Sequence, residues 1–443
     1  MAICLFLVLY MEVPMSILIK NGRVVDSSTG MDGVYDILVK DEKIEKIAKN
    51  ILIDNEDSYE IIDATGKVII PGIVDIHVHL REPGFEHKET IESGTYAAVA
   101  GGVTTVACMP NTNPAIHSKE VVELIQAKAE ETGHCKVKVI GAITKSIQGY
   151  EMAPIDEMIE AGIVGVSDDG RTTMNNDYMS EAFEIIEKHN MPLISHAEDH
   201  DVTAGACMNQ GENSEKLGVK GMPATAESDI VKRDIDLCKE KNAKLHIAHV
   251  SVGESLEHII EARKEGVEVT CEIAPHHFIL NDGIVDVEDA CSKVNPPIRD
   301  QKQVEKMVEG IINGTIDAIA TDHAPHDEES KSKGFEKSAF GISGIETSFA
   351  LSYTGLVKKG HINMLRLVEM MCLNPARIIN IDAGTLNEGT AADLAIIDLE
   401  KEYIIDGAKF HSKGKNTPFN GMKVNGVIEY TLVNGKIVYK EEK

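Results

Sequence analysis

Between residues 73 and 322, short apolar runs recur along the chain at 73–78, 103–109, 137–143, 163–167, 193–195, 245–250, 267–273 and 316–321. Each is aliphatic or β-branched and too short for a typical helix. Most are separated by stretches whose apolar residues return every three or four positions, as at 121–130, 154–161, 179–188, 226–239 and 255–264. Continuous apolar runs suit strands covered on both faces, and the intervening spacing suits amphipathic helices. Eight such alternations in roughly 250 residues predict a (β/α)8 barrel of parallel strands.

The flanks follow another rule. Residues 15–70 carry short alternating runs at 17–20, 23–25, 36–39, 43–47 and 68–70, with Asn21-Gly22 and Asp32-Gly33 as turn signals. The last fifty or so residues repeat the pattern at 395–398, 427–433 and 436–439, around Asn434-Gly435. Alternation of this kind, broken by turn signals, predicts short strands. The two ends are expected to pair into one small structural β-domain, 15–70 plus 380–443, beside a barrel spanning 71–379. Residues 1–14 are apolar from Ile3 to Met11 but lack a basic start and a small-residue cleavage site. They are too short to span a bilayer. The expectation is an extension or an upstream start codon, with Met15 opening the first strand and no membrane attachment.

Composition narrows the function classes. A chain of 443 residues with 43% hydrophobic content can bury a large core. A net charge of −28 leaves no basic stripe for phosphates, which excludes nucleic acid as a partner. Eight scattered cysteines form no C-x-x-C pair, so the expected setting is reducing and cytoplasmic.

The candidate chemistry sits where the runs end. Residues 75–81 read Asp-Ile-His-Val-His-Leu-Arg. Strand alternation puts His77 and His79 on one face, half of a divalent-metal site, with Arg81 two residues on as a clamp for a carboxylate. Asp169, His196, His249 and Asp322 end the fourth, fifth, sixth and eighth runs. In a (β/α)8 barrel, strand ends of that kind converge on one rim. Neutral imidazoles suit zinc, and six donors exceed what one tetrahedral ion takes, so two zinc ions sharing a bridging carboxylate and hydroxide fit better. Asp322 would also carry a proton from the nucleophile to a leaving nitrogen. No nucleophile elbow, P-loop or G-x-G-x-x-G is present.

These residues, with Met-Pro-Asn-Thr-Asn-Pro (109–114), Ser-Asp-Asp-Gly (167–170), Ser-His-Ala-Glu-Asp (195–199), Ala-His-Val-Ser (248–251), Asn-Pro-Pro-Ile-Arg (295–299) and Thr-Asp-His-Ala-Pro-His (321–326), resemble the amidohydrolase superfamily, specifically the class I bacterial dihydroorotases. Phe-Gly-Ile-Ser-Gly-Ile-Glu-Thr (340–347) and Asn-Pro-Ala-Arg (374–377) extend the likeness, which runs from about Met15 to the C-terminus. The resemblance implies reversible closure of N-carbamoyl-L-aspartate to L-dihydroorotate with loss of water, in pyrimidine biosynthesis. It implies His77 and His79 on the more buried zinc, His196 and His249 on the second, and Asp169 bridging. Asp322 would be ligand and general acid/base. Arg81, Asn111 and His326 would hold the substrate α-carboxylate, and Asn295 with the Phe340–Gly341 backbone would read the ring or ureido group. It also implies a homo-oligomer and an association with aspartate transcarbamoylase.

Two other readings compete. A hydantoinase- or allantoinase-like cyclic amide hydrolase would carry a carboxylated lysine on the fourth strand, where this chain has Ser167-Asp168-Asp169. A silent scaffold for aspartate transcarbamoylase would be expected to lose ligands, and all six stand. His276 and His277 are read as packing or supporting residues, His87 and His117 as solvated. Asn111, between prolines, also suits a turn. Residues 325–340, polar with Gly334 inside, read as a lid whose ordering limits turnover.

Overall fold

The structure, a computed structural model, describes residues 16–442; the expected 1–14 extension lies outside them. The eight apolar runs become eight parallel strands: β1 (Ile73–Val78), β2 (Val103–Cys108), β3 (Lys136–Gly141), β4 (Gly165–Val166), β5 (Pro192–Ser195), β6 (Lys244–Ile247), β7 (Glu268–Ile273) and β8 (Ala318–Ile319). They pair in sequence order, and β8 returns to β1 just beyond its end. The closure is made by a parallel bridge between Val78 and His323, by His79 N–H donating to the His323 carbonyl at 2.8 Å, and by Thr321 Oγ1 donating to Asp75 at 2.6 Å. All six residues of β1 and of β2 are buried, as strands covered on both faces must be. β4 and β8 are only two residues long, because their chains turn early into the rim loops.

A helix follows each of the first seven strands: α1 (Ile91–Ala100), α2 (Lys119–Thr132), α3 (Ile155–Glu160), α4 (Asn176–Lys188), α5 (Thr225–Lys241), α6 (Gly253–Lys264) and α7 (Gln301–Ile312). Apolar spacing does not single out α1. Seven of its ten residues are buried, so it carries no polar stripe, and Thr431 from the C-terminal sheet bonds its Val99 carbonyl at 2.6 Å. Its start is fixed locally by a Thr90–Ser93 capping box.

The chain ends do combine into one sheet. In order it runs Lys436–Lys440, Lys423–Val433, Leu394–Ile404, Val68–Pro71, Ser16–Asp26, Met31–Lys40 and Lys43–Ala48, with Tyr59–Asp63 also on Ser16–Asp26. Two turn signals prove to be something else. Asn21-Gly22 lies inside Ser16–Asp26 as a bulge, with Asn21 at φ 61° and the register slipping between Ile19 and Gly22. Asp32-Gly33 lies inside Met31–Lys40. The turn is made instead at Asp41-Glu42, both left-handed, as Asn434-Gly435 makes the C-terminal hairpin. The sheet keeps its own core of Val24, Ile37, Ile69, Leu394 and Ile396.

Candidate metal centre

The rim gathers the six donors. His77 is the penultimate residue of β1, and His79, Asp169, His196, His249 and Asp322 follow the ends of β1, β4, β5, β6 and β8. All are buried. His77, His79 and Asp169 form one cluster with donor atoms within 4.8 Å of one another, and Asp169, His196 and His249 form a second. Asp169 belongs to both. Asp322 Oδ1 stands 3.0 Å from His79 Nε2 and 3.6 Å from His77 Nε2, beside the first cluster.

The imidazoles are oriented from behind. His77 Nδ1 lies 2.6 Å from Glu272 Oε1, His79 Nδ1 lies 2.8 Å from Asn111 Oδ1, and His196 Nε2 lies 3.1 Å from Glu198 Oε2. In each ring one nitrogen is committed to a fixed oxygen, and the other faces the centre. His77 Nε2 is buried with no hydrogen-bond partner, 3.5 Å from Asp169. A carboxylate or amide behind a histidine, with the opposite nitrogen aimed at shared carboxylates, is the arrangement metal-binding histidines adopt. The donor set therefore fits divalent cations that accept nitrogen and oxygen. Glu272 at the end of β7 also receives His246 Nε2 at 3.2 Å. Glu272 and Glu198 carry no sequence signal beyond their place near a strand end, and sequence reasoning gave them no role.

Electrostatics agree with that fit. Burial opposes charge on His77, yet the Asp169 and Glu272 carboxylates hold its pKa well above the ordinary histidine value. His196, against burial, is raised to about 10 by Asp169 and Glu198. Asp169 and Asp322 stay below the usual carboxylate range although burial pushes them up, because the histidines surround them. Such a cluster demands positive charge, and a divalent cation meets that demand while releasing protons.

Asp168, ambiguous in sequence, faces away from the centre. Its carboxylate accepts from Ile143 N at 2.9 Å, Thr144 N at 3.0 Å and Thr173 Oγ1 at 2.6 Å, which pins the β3 and β4 loops together. His276 and His277 are buried after β7, with both His277 nitrogens unpartnered, and burial pushes His276 down to about 4. His87 is exposed as expected, but His117 is half-buried with Nδ1 sealed from solvent.

The cavity in front of the donors, about 260 Å³, is lined by His79, Arg81, Asn111, Asp169, His196, His249, Asn295, Asp322, His326, Phe340 and Gly341. Arg81 is 8% exposed and lies past the end of β1 at φ 64°, so a left-handed turn, not strand alternation, aims it. Its Nε donates to the Pro325 carbonyl at 3.2 Å, and its Nη2 lies 3.3 Å from His326 Nε2. His326 Nε2 donates to the Phe340 carbonyl at 2.7 Å, and burial beside Arg81 pushes His326 down to about 2, so the ring is neutral. His249 and Asp322 are also left-handed, at φ 31° and 47°. Strain of this kind persists where surrounding structure over-determines it, commonly at functional sites. Arg171 also lines the cavity, exposed at its mouth, and was not anticipated.

Comparison with known proteins gives relatives over nearly the whole chain. A family model described as Dihydro-orotase-like matches residues 66–255. A dihydroorotase of Acetivibrio thermocellus is 47% identical over 425 residues, 96% of this chain and 99% of that protein. The chain belongs to the dihydroorotase family. A second member, from Caldanaerobacter subterraneus, is 47% identical over 429 residues, covering 97% of this chain and 98% of its own. Among solved structures, the L-hydantoinase of Arthrobacter aurescens superimposes with a TM-score of 0.86 at 28% identity, over 96% of both chains. The barrel with its attached sheet is thus shared with cyclic amide hydrolases. Within that group, the sequence places this chain with the dihydroorotases.

Proposed function

We propose that the protein interconverts N-carbamoyl-L-aspartate and L-dihydroorotate with two zinc ions, held by His77 and His79 and by His196 and His249, with Asp169 between them. The observation that carries this reading is the pair of donor clusters sharing Asp169, on a cavity that a buried arginine also lines. When bound, two such ions lower the pKa of a water molecule and polarise a carbonyl oxygen. The chain's residues do the rest. Arg81 offers its outer edge to the substrate α-carboxylate in a two-pronged hydrogen bond. Asn111 holds His79 with its oxygen, which leaves its amide nitrogen to join Arg81, and His326 joins them by switching its Nε2–H from the Phe340 carbonyl to the carboxylate. Asn295 and the Phe340–Gly341 backbone read the ring. Asp322, beside His79, takes a proton from the attacking oxygen and returns it to the ring nitrogen as the amide bond breaks. In synthesis the same proton moves the other way.

Ring opening of dihydroorotate by zinc-loaded protein, measured beside hydantoin and allantoin, tests the reading. Turnover of hydantoin alone would defeat it in favour of the hydantoinase-like alternative, which the L-hydantoinase likeness supports. That alternative calls for a lysine at the end of β4, where this chain has Ser167-Asp168-Asp169. Cytoplasmic location, self-association and association with aspartate transcarbamoylase are proposed from the family resemblance. Among the described residues no helix is long and apolar enough to cross a membrane. Size-exclusion chromatography of the protein with and without that transcarbamoylase checks both associations.

A further inference from the structure

Lys293, two residues before Asn295, is 2% exposed. Its ammonium donates to the carbonyls of Glu336 and Ser338, each at 2.8 Å, and lies 4.3 Å from the centre of the Phe340 ring. Its own carbonyl accepts from Gly341 N at 2.9 Å. From the other side, Lys331 donates to the carbonyls of Ala339 at 3.0 Å and Gly341 at 2.9 Å. Gly341 has φ 126°, and a Cβ there would meet the Ala324 carbonyl at 2.5 Å, so this backbone has one narrow seat.

A buried ammonium must find a counter-charge or acceptors. Lys293 has no carboxylate partner among the described residues, and both side-chain hydrogen bonds go to residues 336–338. Its charge is therefore satisfied only while that stretch stays docked, next in the chain to Phe340, which lines the cavity. The phenyl face of Phe340 adds a cation–π contact of the same dependence. An apolar side chain would fill the space but would tie down no carbonyl.

We propose that Lys293 is a positioning residue for the reaction, whose buried ammonium seats Phe340 and Gly341 against the cavity and so couples ordering of the 325–340 segment to substrate capture. The substrate named here rests on the function proposed above; the tether itself does not. Lys293→Met keeps the packing and removes the charge. Trypsin cleavage after Lys331, Lys333 and Lys337 should accelerate about tenfold, and KM for dihydroorotate should rise about tenfold with kcat changed far less. A purely structural role would lower the melting temperature without separating KM from kcat. Wild-type cleavage rates and KM in Lys293→Met would overturn the proposal. If that variant does not fold, Phe340→Leu decides, since it keeps the backbone but removes the ring beneath the ammonium: faster cleavage supports the tether and unchanged cleavage overturns it. A wild-type protein that leaves dihydroorotate intact would defeat the function reading alone, because the trypsin comparison still judges Lys293.

Discussion

The chain-end sheet and the barrel rim are built under opposite rules. The sheet has strands of up to 11 residues, buried over much of their length, and surface ion pairs such as Arg23–Asp32. On the rim, two strands shrink to two residues, and Arg81, His249 and Asp322 take left-handed backbone conformations. The rim also leaves buried ring nitrogens of His77, His249, His276, His277, His323 and His326 without hydrogen-bond partners, whereas Ser27 Oγ, in a turn, is the comparable atom at the N-terminal end of the sheet. Unsatisfied buried groups cost stability and need a reason. A sheet that only supports can satisfy nearly every group. A centre meant to hold cations must leave ligand lone pairs unspent, as His77 Nε2 is.

That contrast predicts which variants lose function and which lose stability. Asp322→Ala should cut ring opening roughly a hundred- to ten-thousandfold, as loss of a general acid/base does, with the melting temperature little changed. Steady-state turnover beside thermal unfolding checks it, and retained activity would remove Asp322 from the chemistry. Ile69→Ala empties a position with 0% exposure in the sheet core and should cost about 2–5 kcal/mol of stability while kcat is unchanged. Denaturant titration reads that loss; a large drop in kcat would mean the sheet does more than support.

Glu272→Gln should weaken zinc retention about 10–100-fold against a competing chelator, because it loosens the orientation of His77 without removing a ligand. Unchanged retention would show that the ring is held by packing alone. The smallest effect is at the seam between the two regions, where Glu346 accepts from His411 N at 2.9 Å and Ser412 N at 3.1 Å. Burial raises its pKa to about 7 from an ordinary 4.5, so between those values the folded chain holds more protons than the unfolded one. Its contribution is full below the lower value and is lost as pH rises through the upper. Glu346→Gln should therefore gain about 1–2 kcal/mol relative to wild type between pH 5 and pH 8, a figure reduced for the solvent reaching it through the adjoining cavity. Parallel unfolding curves at the two pH values would refute that seam.

The sequence alone determined the eight strands, most of the helices between them, the pairing of both ends into a sheet, and the convergence of His77, His79, Asp169, His196, His249 and Asp322. These follow from local periodicity and from the rule that barrel strand ends share a rim, so no distance was needed. Tertiary structure decided what periodicity does not encode. A helix buried over most of its surface, such as α1, has no stripe to read. Arg81 reaches the cavity through a left-handed turn, and Asp168 and Asp169 differ only in which way the loop turns them. Glu272, Glu198 and Lys293 act on residues 195, 2 and about 45 positions away in the chain. A side chain that works by holding another has no spacing of its own, because its partner is set by the packing of strands and loops and not by the order of residues.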